Sequence, residues 1–202
     1  MVMKKLLIPL FALLSFTSAV QAQGDINAGK EKISTCSACH GADGNSPSNL
    51  YPKLAGQHAS YLEKQLLQYK NGQRKDAIMN TMATMLSEQD IKDISAYYAS
   101  QQATEESTTA EIAKQGQKLY MGGDVKRALP ACTACHGPRG NGLDLAKFPK
   151  LSNQHPAYIA KQLHLFRDKA RDNDMNGMMI DIAAKLTDKE ITLLSEYIAA
   201  LH

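Results

Sequence analysis

Apolar positions along the chain fall into two sets, and the second repeats the first. Leu62, Leu66 and Tyr69 are spaced i, i+4, i+7, and Ile159, Leu163 and Phe166 keep the same spacing further on. Each set predicts one buried helical face. Gly72 suits the C-terminal stop of the first helix, and Pro156 the first turn of its counterpart. A later pair of stripes, Ile91, Ile94, Tyr98 and Ile191, Leu194, Ile198, predicts the last helix of each half. These helices open with Ser87 to Asp90 and Thr187 to Glu190, the spacing at which side chain and backbone cap each other. No hairpin signal or alternating run interrupts the pattern, so the predicted fold is all-α, built twice.

The duplication is legible residue by residue. CSACHGADGN at Cys36 to Asn45 recurs as CTACHGPRGN at Cys132 to Asn141, YPKLAGQH at Tyr51 as FPKLSNQH at Phe148, and LSEQDI at Leu86 as LTDKEI at Leu186. Order and spacing survive, with offsets growing from 96 to 100. Ahead of the first copy, Lys4 and Lys5, the apolar run Leu6 to Phe16, and Val20-Gln21-Ala22 read as a signal peptide over residues 1–22, cleaved on export. The expected organisation is therefore domains at 23–103 and 112–202 joined by a polar, acidic linker at 104–111.

Composition narrows the function. With 44% hydrophobic and 21% charged residues the chain is of ordinary globular type. A formal charge of +3, not clustered, lacks the basic stripe of a nucleic-acid binder. Each half is short, and domains of this size often need a staple beyond their own apolar side chains.

All four cysteines lie in CxxCH segments, Cys36-Ser37-Ala38-Cys39-His40 and Cys132-Thr133-Ala134-Cys135-His136. That pattern is the attachment site of a c-type haem: the paired thiols form thioethers to the vinyl groups and the adjacent imidazole reaches the iron. The competing readings are weaker. A zinc ribbon brings its second CxxC within about 20 residues of the first, and a thioredoxin-like pair needs a βαβ context. Export permits disulfides, but no cysteine lies outside the motifs to build a framework. Two haem c groups, one per domain, are expected.

With His40 and His136 on one side of each iron, the opposite side decides between a carrier and a ligand-binding or catalytic centre. Six methionines cluster at 79, 82, 85 and 175, 178, 179. Aligned from the downstream helix start, only Met79 and Met179 fall on methionine in both copies. Carrying the upstream offsets forward would instead pair Met82 with Met179, or Met79 with Met175. The length difference is expected within Asp174 to Asn176. Met82 and Met85 read as packing residues. His58 and His155 also recur at matched positions and are the competing ligands, but bis-histidine ligation would leave the methionine loops unexplained, and their more ordinary role is that of solvated helix-start residues.

These segments, CxxCHGxxGN followed by PKL-x-x-QH, a KQL helix and a methionine loop, closely resemble the dihaem cytochrome c4 family over essentially the whole mature chain. The resemblance implies two tandem class I cytochrome c domains with His–Met ligation, His40 with Met79 and His136 with Met179. It implies a periplasmic electron carrier, not an enzyme, taking electrons from a quinol:cytochrome c oxidoreductase or other donor and passing them toward a terminal oxidase in a respiratory chain. A monomer is expected, with peripheral membrane association left open. The alternatives are a cytochrome subunit of a larger dehydrogenase and, less favoured, a dihaem peroxidase. The resemblance further implies packing of Gly29 on Tyr97 and Gly116 on Tyr197, and hydrogen bonds from the two proximal imidazoles to the carbonyls of Pro52 and Pro149.

Overall fold

The computed structural model describes residues 24–202, so the export segment expected at 1–22 lies outside the described residues. The first half runs α1 (Ile26–Lys32), α2 (Ser34–His40), α3 (Ala59–Lys70), α4 (Ala77–Thr84) and α5 (Glu88–Ala99). The second runs α6 (Ala110–Gly122), α7 (Thr133–His136), α8 (Pro156–Arg167), α9 (Met178–Ala183) and α10 (Asp188–Ala199). Among the described residues there is no strand, only isolated antiparallel bridges at Asp124–Leu129 and Leu143–Phe148. The fold is all-α in two copies, as the periodicity predicts.

Each copy is closed by its first helix crossing its last. A Cβ at Gly29 would lie 2.1 Å from the Asp93 carbonyl oxygen and 2.8 Å from Tyr97 Cβ. At Gly116 it would lie 2.3 Å from Tyr197 Cβ. Only glycine lets these backbones approach so closely. In the first copy Lys32 on α1 adds ion pairs to Asp90 (2.6 Å) and Asp93 (2.9 Å) on α5. The carboxyl groups of Asp90 and Asp93 are held below the usual carboxylate range, Asp90 chiefly by its hydrogen bond to Lys32, Asp93 chiefly by accepting the Asp25 amide. Both last helices carry the full reciprocal cap, Ser87 with Asp90 and Thr187 with Glu190.

The second copy is longer between its first helix and its CxxCH, and the structure shows what the additional residues do. They lengthen α6 to Gly122 and then form a 3₁₀ turn at Val125–Arg127, whose Leu129 enters the core. Arg127 holds the turn down by pairing with Asp124 (2.8 Å) and with Glu190 at the start of α10 (2.6 Å). Helix α6 begins at Ala110, capped by Thr109, inside the stretch expected to be linker.

The two copies meet across a polar seam with approximate twofold symmetry. Gln57 accepts from the Lys150 amide (2.9 Å) and donates to its carbonyl (2.8 Å); Gln154 does the same with Lys53 (2.8 and 2.8 Å). Nearby, Arg74 bonds Gln65 of its own copy (2.7 Å) and Tyr158 and Gln162 of the other (3.0 Å each). Arg171 bonds Gln162 of its own copy (2.8 Å) and Tyr61 and Gln65 of the other (3.1 Å each). Both guanidinium groups are buried and lie on an aromatic ring, Arg74 on Tyr69 and Arg171 on Phe166.

Candidate functional site

Cys36 and Cys39 lie on α2, which ends at His40; Cys135 lies on α7, which ends at His136, with Cys132 just before its first residue. Gly41 and Gly137, both at positive φ, stop the helices directly after the histidines. All four cysteines are free thiols. Burial raises the Cys36 pKa and pushes that of Cys132 up to about 11, the reverse of the depressed value an exchanging redox pair requires. Among the described residues, no three His, Cys, Asp or Glu side chains converge in one cluster.

The histidine geometry is the same in both copies. His40 Nδ1 lies 2.9 Å from the Pro52 carbonyl oxygen, and His136 Nδ1 lies 3.1 Å from that of Pro149. A carbonyl only accepts, so Nδ1 carries the proton and Nε2 keeps its lone pair. Burial lowers the pKa of both imidazoles, which favours the neutral, ligating form, while the prolyl carbonyl pulls the other way. Both contacts implied by the family resemblance are present.

The carbonyls that follow the histidines are satisfied from different helices. Tyr98 on α5 donates to Gly41 O at 3.4 Å, whereas Tyr120 on α6 donates to Gly137 O at 2.7 Å. In each copy the tyrosine stacks in a tilted pair with the aromatic that faces the helix-crossing glycine, Tyr97 or Tyr197. Tyr120 was not singled out in the sequence, because its counterpart comes from the opposite end of the other domain.

An aspartate binds the amides at the start of each methionine helix, Asp76 as the N-cap of α4 and Asp174 from ahead of the turn that precedes α9. Asp76 accepts the amides of Ile78 (3.1 Å) and Met79 (3.0 Å); Asp174 accepts those of Met179 (2.6 Å) and Ile180 (3.2 Å). Four residues beyond Met79 and Met179, Ala83 and Ala183 are both fully buried. Counted back from these alanines, Met79 and Met179 occupy matching places, although the aspartates bind one residue out of step: Asp76 reaches Met79 and the residue before it, Asp174 reaches Met179 and the residue after it. The length difference is not confined to Asp174 to Asn176 as expected: of the three extra residues of copy two, one precedes Asp174, and two are absorbed where Met175–Gly177 makes a 3₁₀ turn with Asn176 and Gly177 in the left-handed region. Met179 and Ile182 pack on the second core, and Cys132 and Leu151 border it too. Cys36 and Leu54 border the first.

His58 and His155 are not solvated helix starts. Each reaches across the seam: His58 Nε2 lies 2.8 Å from the Asn141 carbonyl and His155 Nε2 lies 2.9 Å from that of Ser46. Sequence reasoning missed this because the partners belong to the other copy.

The residues present fit a covalently held haem in each copy. Two free thiols stand three positions apart, followed directly by a buried imidazole whose free nitrogen is Nε2, and each copy carries a methionine helix whose first amides are bound by an aspartate. Comparison with known proteins agrees. The family model described as cytochrome c matches residues 26–102 and 113–202. Cytochrome c4 of Stutzerimonas stutzeri is 47% identical, covering 99% of this chain and all of the relative. The crystal structure of reduced recombinant cytochrome c4 from Pseudomonas stutzeri superposes with a TM-score of 0.86 at 49% identity, over 89% of this chain and 100% of that one. A thiosulfate dehydrogenase electron acceptor of Thiomonas intermedia is 34% identical over 86% of this chain and 81% of its own length.

Proposed function

This chain belongs to the cytochrome c4 family, a dihaem electron carrier with two covalently bound haem c groups, and from that premise we propose the following assignment. Cys36 and Cys39 hold one haem and Cys132 and Cys135 the other, each thiol adding across a vinyl double bond. His40 and Met79 are the axial ligands of the first iron, His136 and Met179 those of the second. The protein is exported to the periplasm, takes electrons from a quinol:cytochrome c oxidoreductase or another donor, and delivers them toward a terminal oxidase of a respiratory chain.

The observation that carries this reading is the repeated bond from His40 and His136 Nδ1 to a prolyl carbonyl, which orients each ring and leaves Nε2 for iron. Bound there, haem supplies a one-electron iron couple whose potential is raised by methionine opposite histidine. The chain's own contribution is rigidity and dryness. The Pro52 and Pro149 carbonyls stop the imidazoles turning, the aspartate caps fix the methionine helices, and the apolar clusters around Cys36 and Cys132 keep water away. Haem held by residues fixed in this way would keep its ligands in both oxidation states, so that transfer would not wait on ligand exchange.

A second reading is favoured by one specific observation, the 34% identity to a thiosulfate dehydrogenase electron acceptor: the chain would then be the dedicated acceptor of a partner dehydrogenase. The test is an absorption spectrum of the exported protein with haem-to-chain stoichiometry and the charge-transfer band of methionine-bound ferric iron, followed by purification without tags on a partner. Two haems per chain, both with that band, are expected. One haem, or a ferric spectrum without the band, overturns the ligand assignment, and stable co-purification with a second polypeptide favours the dehydrogenase reading.

A further inference from the structure

Among the places where the seam's twofold symmetry is broken is an ionisable cluster at a histidine. His155 Nε2 lies 2.9 Å from the Ser46 carbonyl oxygen and its Nδ1 lies 3.1 Å from Glu106 Oε1. Both partners are acceptors. A neutral imidazole has one N–H and one lone pair, so it would satisfy one partner and turn its lone pair on the other; only the imidazolium satisfies both. Lys53, itself buried, places its ammonium 2.7 Å from the same carboxylate oxygen.

His58, the counterpart of His155, has one acceptor, the Asn141 carbonyl at 2.8 Å, which a neutral tautomer satisfies. The difference has a simple origin. Glu106 belongs to the connection between the copies, and a tandem pair has one connection, so one histidine alone receives a carboxylate. The ionisable groups facing His155 are Glu106 from the linker and, behind it, Lys53 from the segment ahead of α3. The Ser46 loop brings hydroxyl and carbonyl groups, and Tyr158 on the first turn of α8 faces Arg74 instead.

Ser46 connects this cluster to the first CxxCH, since its hydroxyl donates to the Cys39 carbonyl at 2.8 Å. We propose that His155 is a positioning residue for electron transfer at the N-terminal site, coupling proton binding on the C-terminal domain to the redox state of the haem held by Cys36 and Cys39. An electron from the redox partner reduces ferric to ferrous iron, and a proton from solvent is bound by His155 to a matching, fractional extent. When the proton leaves, a positive charge and one interdomain hydrogen bond go with it. The N-terminal potential therefore falls as pH rises through the imidazole range, while the C-terminal potential does not. The inference rests on the haem placement proposed above.

The experiment is a redox titration of the holoprotein from pH 5 to 8.5, the two haems resolved by the NMR shifts of their methyl groups. For the N-terminal haem a fall of about fivefold in the reduction equilibrium constant is expected, at the low end of coupling between separate sites, equivalent to roughly 40 mV for one electron. His155→Gln should abolish the fall and His58→Gln should leave it. Glu106→Gln should move it to lower pH, since the anion favouring the imidazolium is gone. A flat profile in the unsubstituted protein, an undiminished fall in His155→Gln, or its loss in His58→Gln overturns the proposal. If His155→Gln does not mature, the ring protons of His155 followed by NMR in both oxidation states decide instead: linkage requires its acid constant to differ by the same factor, and identical titrations overturn the proposal. The spectra separate this from the haem placement, because a missing haem or charge-transfer band in the unsubstituted protein speaks against the ligands and not against His155.

Discussion

The tightest contact in each domain is a glycine against a helix, and α6 carries an internal control for it. At Gly116 a Cβ would sit 2.3 Å from Tyr197 Cβ and 2.8 Å from Tyr197 Cγ. Ordinary carbon contacts are about 3.5–4.0 Å, so Gly116→Ala must push α6 and α10 apart or rotate Tyr197 out of its pairing with Tyr120. Overpacking of this kind costs about 1–3 kcal/mol, and the helix propensity regained by alanine offsets about 0.5–1 of that. A net loss of about 1–2 kcal/mol lowers the melting temperature of a domain this size by roughly 4–16 °C. Gly122, six residues on in the same helix, has no atom within 4 Å of the added Cβ and no positive φ. Gly122→Ala should therefore raise stability by up to about 1 kcal/mol. Thermal unfolding of both holoproteins, followed by Soret and far-ultraviolet dichroism, is the assay. Equal melting temperatures for Gly116→Ala and the parent would refute the argument that backbone proximity, and not conformational freedom, requires this glycine.

Two further substitutions test the site and the seam. Met79→Ala should open one iron to added cyanide or carbon monoxide and remove half of the methionine charge-transfer band, while Met82→Ala leaves both unchanged; the reverse outcome would show that the register taken from the buried Ala83 and Ala183 is wrong. Gln154→Ala strands the Lys53 amide and carbonyl at a buried seam. Leaving such groups unpaired costs about 1–3 kcal/mol, which should appear as faster amide exchange at Lys53 with the absorption spectrum intact, and unchanged exchange there would show that water replaces the side chain freely.

Much of each domain was legible because its determinants are local or lie at a fixed spacing. Ile91, Ile94, Tyr98 and Ile191, Leu194, Ile198 form the buried stripes that their periodicity predicts, since a helix of period 3.6 buries one face whatever it packs on. Ser87 and Thr187 make the reciprocal caps their spacing requires. The chemistry of CxxCH was likewise readable, because thiols and imidazole must be adjacent in sequence to meet one porphyrin. Leu129, which enters the second core from the longer connection, and Tyr120, which takes over the hydrogen bond made by Tyr98 in the first copy, were not. In both cases one copy meets a packing need from a different part of the chain, and self-comparison is blind where the copies solve a problem differently.

The seam was hidden for the opposite reason, since there the copies do the same thing to each other. Lys53 and Lys150, Gln57 and Gln154, Tyr61 and Tyr158, Gln65 and Gln162, and Arg74 and Arg171 all recur at one offset of 97. None is apolar enough to define a core, and none has a place in the CxxCH chemistry. In a single domain such residues would read as solvated surface. In a duplicated chain they admit another reading: each side chain that reaches out from one copy meets its own counterpart's neighbourhood in the other, so a matched polar set is what a pseudo-twofold interface needs. Gln57 and Gln154 obey this through four bonds of 2.8–2.9 Å. The linker cannot obey it, because it occurs once, and Glu106 accordingly gives one half a carboxylate contact that the other lacks. Functional asymmetry between two duplicated redox domains is thus expected at the connection that makes them one chain.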